Sequence, residues 1–448
     1  MTGIGTISPA HADLLQRIDT RTAVVGVIGL GHAGLPIAAA MLDAGFPVIG
    51  FDTDSHVVDR WTGRAPVTGG LVTGGEVSVD PAREGRWHTS SEFSMLSEVD
   101  AILLCVPTPL GEDDRPDLSH VEAAADAVAA RLQPGQLVVL ESTTWPGTTR
   151  EVLLPRLERT GLCCGVEVFV AYSPARVDPG RAEPSPQQIP RLVGGVDAAS
   201  CDAATRLYSA AHAQVVPVSS AEVAEAAKLL ENVYRAVNIA LVNEMKMVLG
   251  AMDIDVHEVI DAAATKPFGF QAFRPGPGWG GHCIPIDPFY LAWKADQVGS
   301  QARFVELAGR INRAMPDYVI GRLRDALSER GTELSAARVL VVGLAYKPDI
   351  ADLRESPSLQ LIGRVLAAGA HADYHDPHVP AMPACKAPEL PAMGSVPLHE
   401  AELAKYDAVL IATDHSAVDY ELIARVARLV VDTRGVMRGL NGEHIIQA

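Results

Sequence analysis

The run TAVVGVIGLGHAGLPIAAAML (residues 22–42) contains no formally charged side chain. By length alone, about 20 such residues would span a bilayer. Arg17 and Arg21 ahead of it imitate the basic end of a signal peptide. The placement of glycine decides against both readings. Gly26, Gly29, Gly31 and Gly34, with His32 and Pro36, interrupt the run at regular points. A short buried strand, a Gly-rich turn and the start of a helix explain the same letters. In Gly29-Leu30-Gly31-His32-Ala33-Gly34 the first glycine permits a tight turn, and the second lets backbone approach a pyrophosphate. The third lets helix pack on strand, leaving the helix N-terminus facing the phosphates. The following strand, PVIGF (47–51), runs into Asp52, placed to accept hydrogen bonds from an adenosine ribose. Asp54 nearby would repel a 2′-phosphate, so the cofactor expected is NAD rather than NADP. Pro107 and Thr108, directly after the strand AILLCV (101–106), complete the expected cofactor contacts.

Outward from this point, apolar runs alternate with helical patterns. QLVVLES (136–142) and VFVAYS (168–173) read as further buried strands, and LSHVEAAADAVAARL (118–132) reads as a helix. Such alternation means βαβ units and a parallel sheet. From Ser220 to Leu249 there is neither Gly nor Pro, and apolar residues recur at helical spacing. Ser219 with Glu222 fits a capping box and Gly250 a C-terminal stop, giving a helix of roughly 45 Å. A second α/β signature starts at RVLVVGLAY (338–346), continues through DAVLIAT (407–413) and ends in LVVDTRG (429–435). The fold class expected is therefore α/β, with two Rossmann-like doubly wound domains joined by a helical domain with a long central helix. The expected limits are residues 1–217, 218–316 and 317–448.

The chain has 448 residues, 48% hydrophobic and 21% charged, which excludes disorder as its main theme. Lys+Arg number 37 against Asp+Glu 55, a formal charge of −18. So acidic a surface repels nucleic acid and anionic membrane, and neither is expected as a partner. The six cysteines form no CxxC pair. Reduced thiols in the cytoplasm are expected, with no structural metal.

One stretch stands apart in composition: Arg274-Pro-Gly-Pro-Gly-Trp-Gly-Gly-His282-Cys283-Ile-Pro-Ile-Asp287. Its Gly and Pro residues give an irregular backbone able to approach a ligand closely. A single Cys in such a loop, beside His282 and ahead of Asp287, is a candidate nucleophile. Cys105, Cys163, Cys164, Cys201 and Cys385 lack such settings and read as structural. Lys228 and Asn232 stand one helical turn apart. By themselves they read as a solvated face.

Together these residues match a family. GLGHAG (29–34), ESTTWPGTT (141–149), KLLEN (228–232), GGHCIPIDP (280–288), YKPDIADLRESP (346–357) and DTRG (432–435) occur in its order. The chain resembles the nucleotide-sugar 6-dehydrogenases, which act on UDP-glucose, GDP-mannose, UDP-N-acetylmannosamine or UDP-N-acetylglucosamine. The resemblance implies two successive NAD⁺-dependent oxidations at C6, through a thiohemiacetal and a thioester on Cys283. It assigns Lys228 to the developing oxyanion, Asn232 and Thr143 to the reacting oxygen or water, and Asp287 to proton transfer near the thiol. Lys347, Arg354 and Arg434 would bind the UDP portion or line the interface near it, and Arg176 and Gly280 match substrate positions. Arg274 is a further pocket candidate. The third expected domain becomes the UDP-sugar-binding one, and the long helix implies a homodimer or higher oligomer. KPFGFQAF (266–273), followed by PGPGWGGHCIPIDPFYLAWKA, looks most like the UDP-N-acetylglucosamine branch.

One departure matters. The family's Ser-Pro-Glu motif is Ser173-Pro174-Ala175 here, so a carboxylate assigned acid/base help is missing. An engineered substitution, a pathway stopping at the aldehyde, or replacement by a group such as Asp178 would each account for it. Two other readings compete. A hydroxyacid dehydrogenase would need neither Cys283 nor a second α/β domain. A nucleotide-sugar binding protein without catalysis would form no NADH.

Overall fold

The computed structural model describes residues 7–66, 85–111, 114–176, 187–281, 284–386, 388–440 and 442–448. The chain divides into two compact units. One holds residues up to Glu231 together with Phe289–Ser300, and the other holds Asn232–Pro288 together with Gln301–Ala448.

The first unit opens with helix α1 (Pro9–Asp19), capped by the Ser8 hydroxyl, which accepts from the His11 N–H. Strand β1 (Val25–Ile28), helix α2 (Gly34–Asp43), strand β2 (Val48–Phe51), helix α3 (Ser55–Trp61) and strand β3 (Trp87–Ser90) follow. Then come β4 (Ala101–Leu104), α4 (Ser119–Ala129), β5 (Leu137–Leu140), α5 (Leu154–Glu158), β6 (Phe169–Tyr172), β7 (Arg191–Gly195), α6 (Ala198–Ala211) and β8 (Val215–Pro217). The sheet order is β3-β2-β1-β4-β5-β6-β7-β8. Its first six strands give the dinucleotide-binding order, which reverses direction beside β1. All are parallel except that β7 runs antiparallel to β6. Strands β1, β2, β4, β5 and β6 are buried at every residue, because helices cover both faces. That is why they are continuous apolar runs rather than alternating ones. The uncharged run 22–42 is thus β1, a turn and most of α2. Among the described residues no helix is long and apolar enough to cross a membrane.

Helix α7 spans Ala221–Gly250, 30 residues, and continues from the first unit into the second. Its start differs in detail from the expected capping box. Ser220, not Ser219, accepts from the Val223 N–H, and Glu222 pairs with Arg150. Helices α8 (Val256–Ala264), α9 (Asp287–Gln297) and α10 (Arg303–Glu329) follow, and the C-terminal part of α9 packs in the first unit. Strand β9 (Arg338–Val342), helix α11 (Pro357–Ala367) and strand β10 (His371–His375) begin the second sheet. Four two-residue strands make small ribbons: β11 (Ala381–Met382), β12 (Cys385–Lys386), β13 (Glu389–Leu390) and β14 (Met393–Gly394). Helix α12 (Glu400–Leu403), β15 (Ala408–Ile411), α13 (Tyr420–Val426), β16 (Val430–Asp432) and β17 (Ile445–Gln447) complete the chain. The sheet order β10-β9-β15-β16-β17 is parallel throughout, a second doubly wound arrangement. Along β9, Val339 and Val341 enter one apolar cluster while Leu340 and Val342 enter another, so both faces are buried.

Candidate active site

In the first unit the fingerprint turn joins β1 to α2. Gly29 has φ +94°, and a Cβ there would lie 2.6 Å from the Cys105 carbonyl oxygen. At Gly34 a Cβ would fall 1.8 Å from the Gly29 carbonyl oxygen, so helix and turn can meet only through glycine. Gly31 is different: a Cβ there would meet nothing within 4 Å. The second glycine is not needed by the fold itself, and its open side fits an approaching pyrophosphate. Helix α2 begins after Ala33 with no side-chain cap, which leaves its first N–H groups for an anion. Asp52 accepts from the Leu30 N–H at 2.9 Å and the Asp54 N–H at 3.0 Å, fixing its carboxylate beside the turn. His32 is exposed and Ala33 half-buried on that turn; Pro107 is exposed and Thr108 is buried just beyond β4. These residues fit NAD.

On α7, Lys228 and Asn232 are both 7% exposed, so the solvated-face reading of this pair fails. Lys228 makes no hydrogen bond or ion pair with any other described residue. An ammonium group walled in without a carboxylate is costly unless a ligand supplies the partner. Asn232 donates through Nδ2 to the Asp287 carboxylate at 2.5 Å, and Asp287 is 2% exposed at the start of α9. Thr143 is half-buried after β5. His282 and Cys283 lie outside the described residues.

The glycine loop ahead of them is anchored within the second unit. The Gly276 N–H donates to Asn243 Oδ1 at 2.9 Å, and Asn243 donates to Asn312 Oδ1 at 2.8 Å. Pro316 lies inside α10 and has no N–H to give the Asn312 carbonyl. At Gly278, with φ +131°, a Cβ would stand 3.2 Å from that carbonyl oxygen. The Gly281 N–H donates to the Arg354 carbonyl at 2.9 Å. A Cβ on Gly280 would meet Tyr346 Cβ at 2.6 Å, and one on Gly276 would meet Arg434 Nη1 at 2.6 Å. The loop is thereby brought against the segments that carry Arg354 and Arg434, with Lys347 half-buried beside Tyr346.

Several of the expected substrate cations already have internal partners. Arg354 grips Asp352, with 3.0 Å from Nε to each carboxylate oxygen. Arg274, an exposed residue, pairs with Asp261, which Arg438 also holds at 2.7 Å. Arg176 pairs with Glu231 at 2.6 Å and donates to the Pro190 carbonyl. Arg434 is mostly buried, donates to the Ala412 carbonyl at 2.8 Å, and burial lowers its pKa. Ala175 lines a cavity of about 30 Å³ with Ala33, Pro36, Arg176 and Arg191, room for about one water.

Sequence reading passed over two supports. Glu225, three residues before Lys228, is fully buried and accepts from the Gly147 N–H, the Thr149 N–H and the Thr149 hydroxyl at 2.6–2.8 Å. Burial pushes its carboxyl up to about 7 despite these donors. An acid on the apolar stripe of α7 was the available signal. Arg191 and Glu141 form a buried ion pair, and Arg191 Nε donates to the Ser173 hydroxyl at 2.8 Å, fixing the strand end before Ala175. The described cysteines are free thiols; burial pushes Cys105 well up, and burial with Asp197 brings Cys164 to about 12. Asp349, His378 and His415 bring ligand-type atoms within 4.8 Å of one another. His415 there accepts the Asp349 N–H at Nδ1 and shares Nε2 with Asp376, so both ring nitrogens already serve the fold.

Comparison with known proteins agrees with this geometry. Residues 23–212 match the NAD binding domain of the UDP-glucose/GDP-mannose dehydrogenase family, residues 222–314 its central domain and residues 340–439 its UDP binding domain. A UDP-N-acetyl-D-glucosamine 6-dehydrogenase of Pseudomonas aeruginosa is 34% identical over 88% of this chain and 90% of its own. Protein CapL of Staphylococcus aureus is 33% identical over 92% and 96%. The solved UDP-D-ManNAc dehydrogenase of Pyrococcus horikoshii superposes with a TM-score of 0.82 at 31% identity, covering 95% of this chain and 98% of that one. The chain belongs to the UDP-glucose/GDP-mannose dehydrogenase family. It is an NAD-dependent UDP-sugar dehydrogenase, an oxidoreductase.

Proposed function

We propose that the chain oxidises C6 of UDP-N-acetylglucosamine to the carboxylate, in the cytoplasm and as a homodimer. The observation that carries the reading is Lys228, buried with no partner among the described residues, one turn from an Asn232 bound to Asp287. Bound NAD supplies a hydride acceptor for each of two oxidations. The rest falls to side chains. Lys228 steadies negative charge on the C6 oxygen as it loses its proton. Cys283 then adds as thiolate to the C6 aldehyde, because the C–H of the tetrahedral thiohemiacetal can leave as hydride while its oxygen reforms the C=O. Hydride loss from the aldehyde itself would leave an acylium cation. The resulting thioester is cleaved by water, for which Asn232, Thr143 and Asp287 are the positioning groups. Arg434, Lys347, Arg354, Arg176, Gly280 and Arg274 are assigned to the nucleotide sugar, with Arg354, Arg176 and Arg274 acting through or exchanging their present ion pairs.

The choice of sugar rests on the KPFGFQAF and GGHCIPIDP stretches, since relatives acting on N-acetylmannosamine are about as similar in sequence. It is tested by comparing kcat/KM for UDP-N-acetylglucosamine, UDP-N-acetylmannosamine and UDP-glucose. The first should lead by tenfold or more; equal values or a lead by another sugar would overturn the assignment. Ala175 favours one second reading, release of the 6-aldehyde after a single oxidation. The dimer reading rests on α7, where Leu230, Tyr234, Leu241, Val248 and neighbouring Met252 are all more than 40% exposed.

A further inference from the structure

Within the second unit, the C-terminal end of α7 faces a cavity of about 500 Å³. None of its lining residues belongs to the cofactor or substrate sets above. Its volume falls within the range of small-metabolite sites, about 300–1,000 Å³. Two cations line it. Lys246 is 5% exposed, and among the described residues its only hydrogen bond is from Nζ to the Thr433 carbonyl oxygen at 3.3 Å. Among the described residues Arg322 on α10 hydrogen-bonds only the Gln447 carbonyl, at 3.4 Å from both Nε and Nη2. Neither forms an ion pair with a described carboxylate, in a chain whose formal charge is −18.

The surrounding groups do not neutralise them. Asp432, the acid that acts on Lys246 from beyond ion-pair distance, already accepts the N–H groups of Arg434, Gly435 and Met437. Asp255 caps α8 by accepting the His257 N–H and pairs with Arg438 at 3.2 Å. Asp253 stands exposed at the rim, and Tyr318 lines the wall. Arg434, Arg322 and His257 add positive or neutral neighbours to Lys246, not compensation. A buried ammonium group held by one carbonyl, with an exposed guanidinium at the same cavity that also bonds one carbonyl, is the donor set of an oxyanion site.

We propose that this cavity binds the phosphate group of a small phosphate monoester, through Lys246 and Arg322 with the Tyr318 hydroxyl as a further donor. Burial brings the Lys246 amine down to about 7 when the cavity holds no anion. An arriving dianion favours the charged amine, so binding takes up a proton and weakens as pH rises.

The test uses the whole protein saturated with NAD⁺ and UDP, so that their own phosphate sites are filled. Sulfate is the probe because its charge stays constant across neutral pH, and its binding is followed by calorimetry. Saturable binding is expected, with affinity falling roughly tenfold per pH unit above 7. Lys246→Met should remove it and flatten the pH dependence. Arg322→Gln, an exposed change that leaves the fold intact, should weaken it several-fold. No saturable binding, or binding equal in the wild type and Arg322→Gln, overturns the proposal. Inorganic phosphate at pH 7 serves as the second probe and should show the same ranking of variants.

Discussion

Lys228 and Lys246 lie on one helix, both buried, yet removing them tests different things: catalysis for Lys228 and pH-dependent stability for Lys246. Lys228→Met should lower kcat by about 10²–10³-fold, the usual cost of losing one oxyanion donor, with thermal stability unchanged or raised. Steady-state NADH formation with a melting curve checks this; a variant of undiminished kcat would remove Lys228 from the chemistry. Lys246 enters through stability. Its folded pKa, about 7, lies below the ordinary value of 10.5, so between these values the unfolded chain binds more protons. Its contribution therefore makes the fold more stable as pH rises from 7 towards 10.5. Lys246→Met should be more stable than wild type at pH 7 and lose that gain, as urea denaturation at pH 7 and pH 9.5 would reveal. An unchanged slope would contradict it. Glycines give a second contrast. Gly31→Ala has room in the protein and should raise KM for NAD⁺ while leaving melting unchanged. Gly34→Ala has none and should fail to fold or melt far below wild type.

At the scale of elements, the glycine loop acts as a strap whose path is set by backbone contact. Gly280→Ala would force the loop off Tyr346 and the Glu355 carbonyl, only 2.6 and 2.9 Å from the new Cβ. Expected is a loss of turnover with NAD⁺ binding retained, since Cys283 follows three residues on while the fingerprint turn lies elsewhere in the chain. Fluorescence titration of NAD⁺ beside the activity assay separates the two, and unimpaired turnover would show that the loop tolerates the shift. Elements with continuous apolar runs were legible in the sequence: β1, β2, β4, β5, β6, β9 and the uninterrupted α7. Others were hidden for physical reasons. Strand β7 opens with Arg191, whose charge is buried only because Glu141 meets it. Strand β3, WHTS, buries Trp87 alone at a sheet edge, and the ribbons β11 to β14 are two residues each. The site was legible where chemistry and backbone geometry coincide, at the fingerprint and the glycine loop. It was not legible for Arg274 and Arg176, since the fold, not the spacing, brings Asp261 and Glu231 to them, whereas Asp352 stands only two residues before Arg354.

For the whole molecule, the acidic surface and the exposed apolar residues of α7 make separate demands. A formal charge of −18 is a net repulsion toward polyanions. It does not hide Leu230, Leu241 or Val248, and a second copy of the helix is the cover proposed here. Leu241→Glu together with Val248→Glu should shift sedimentation from dimer to monomer; an unchanged sedimentation coefficient would place the interface elsewhere. The extent of oxidation is the claim that joins every part of the account, from the Gly31 opening to the Cys283 thiolate and the missing acid at Ala175. It is measured by converting a known amount of UDP-N-acetylglucosamine to completion with excess NAD⁺, counting NADH and weighing the product by mass spectrometry. Two NADH per sugar and the mass of the uronate are predicted. One NADH with the mass of an aldehyde, or no NADH at all, would contradict it.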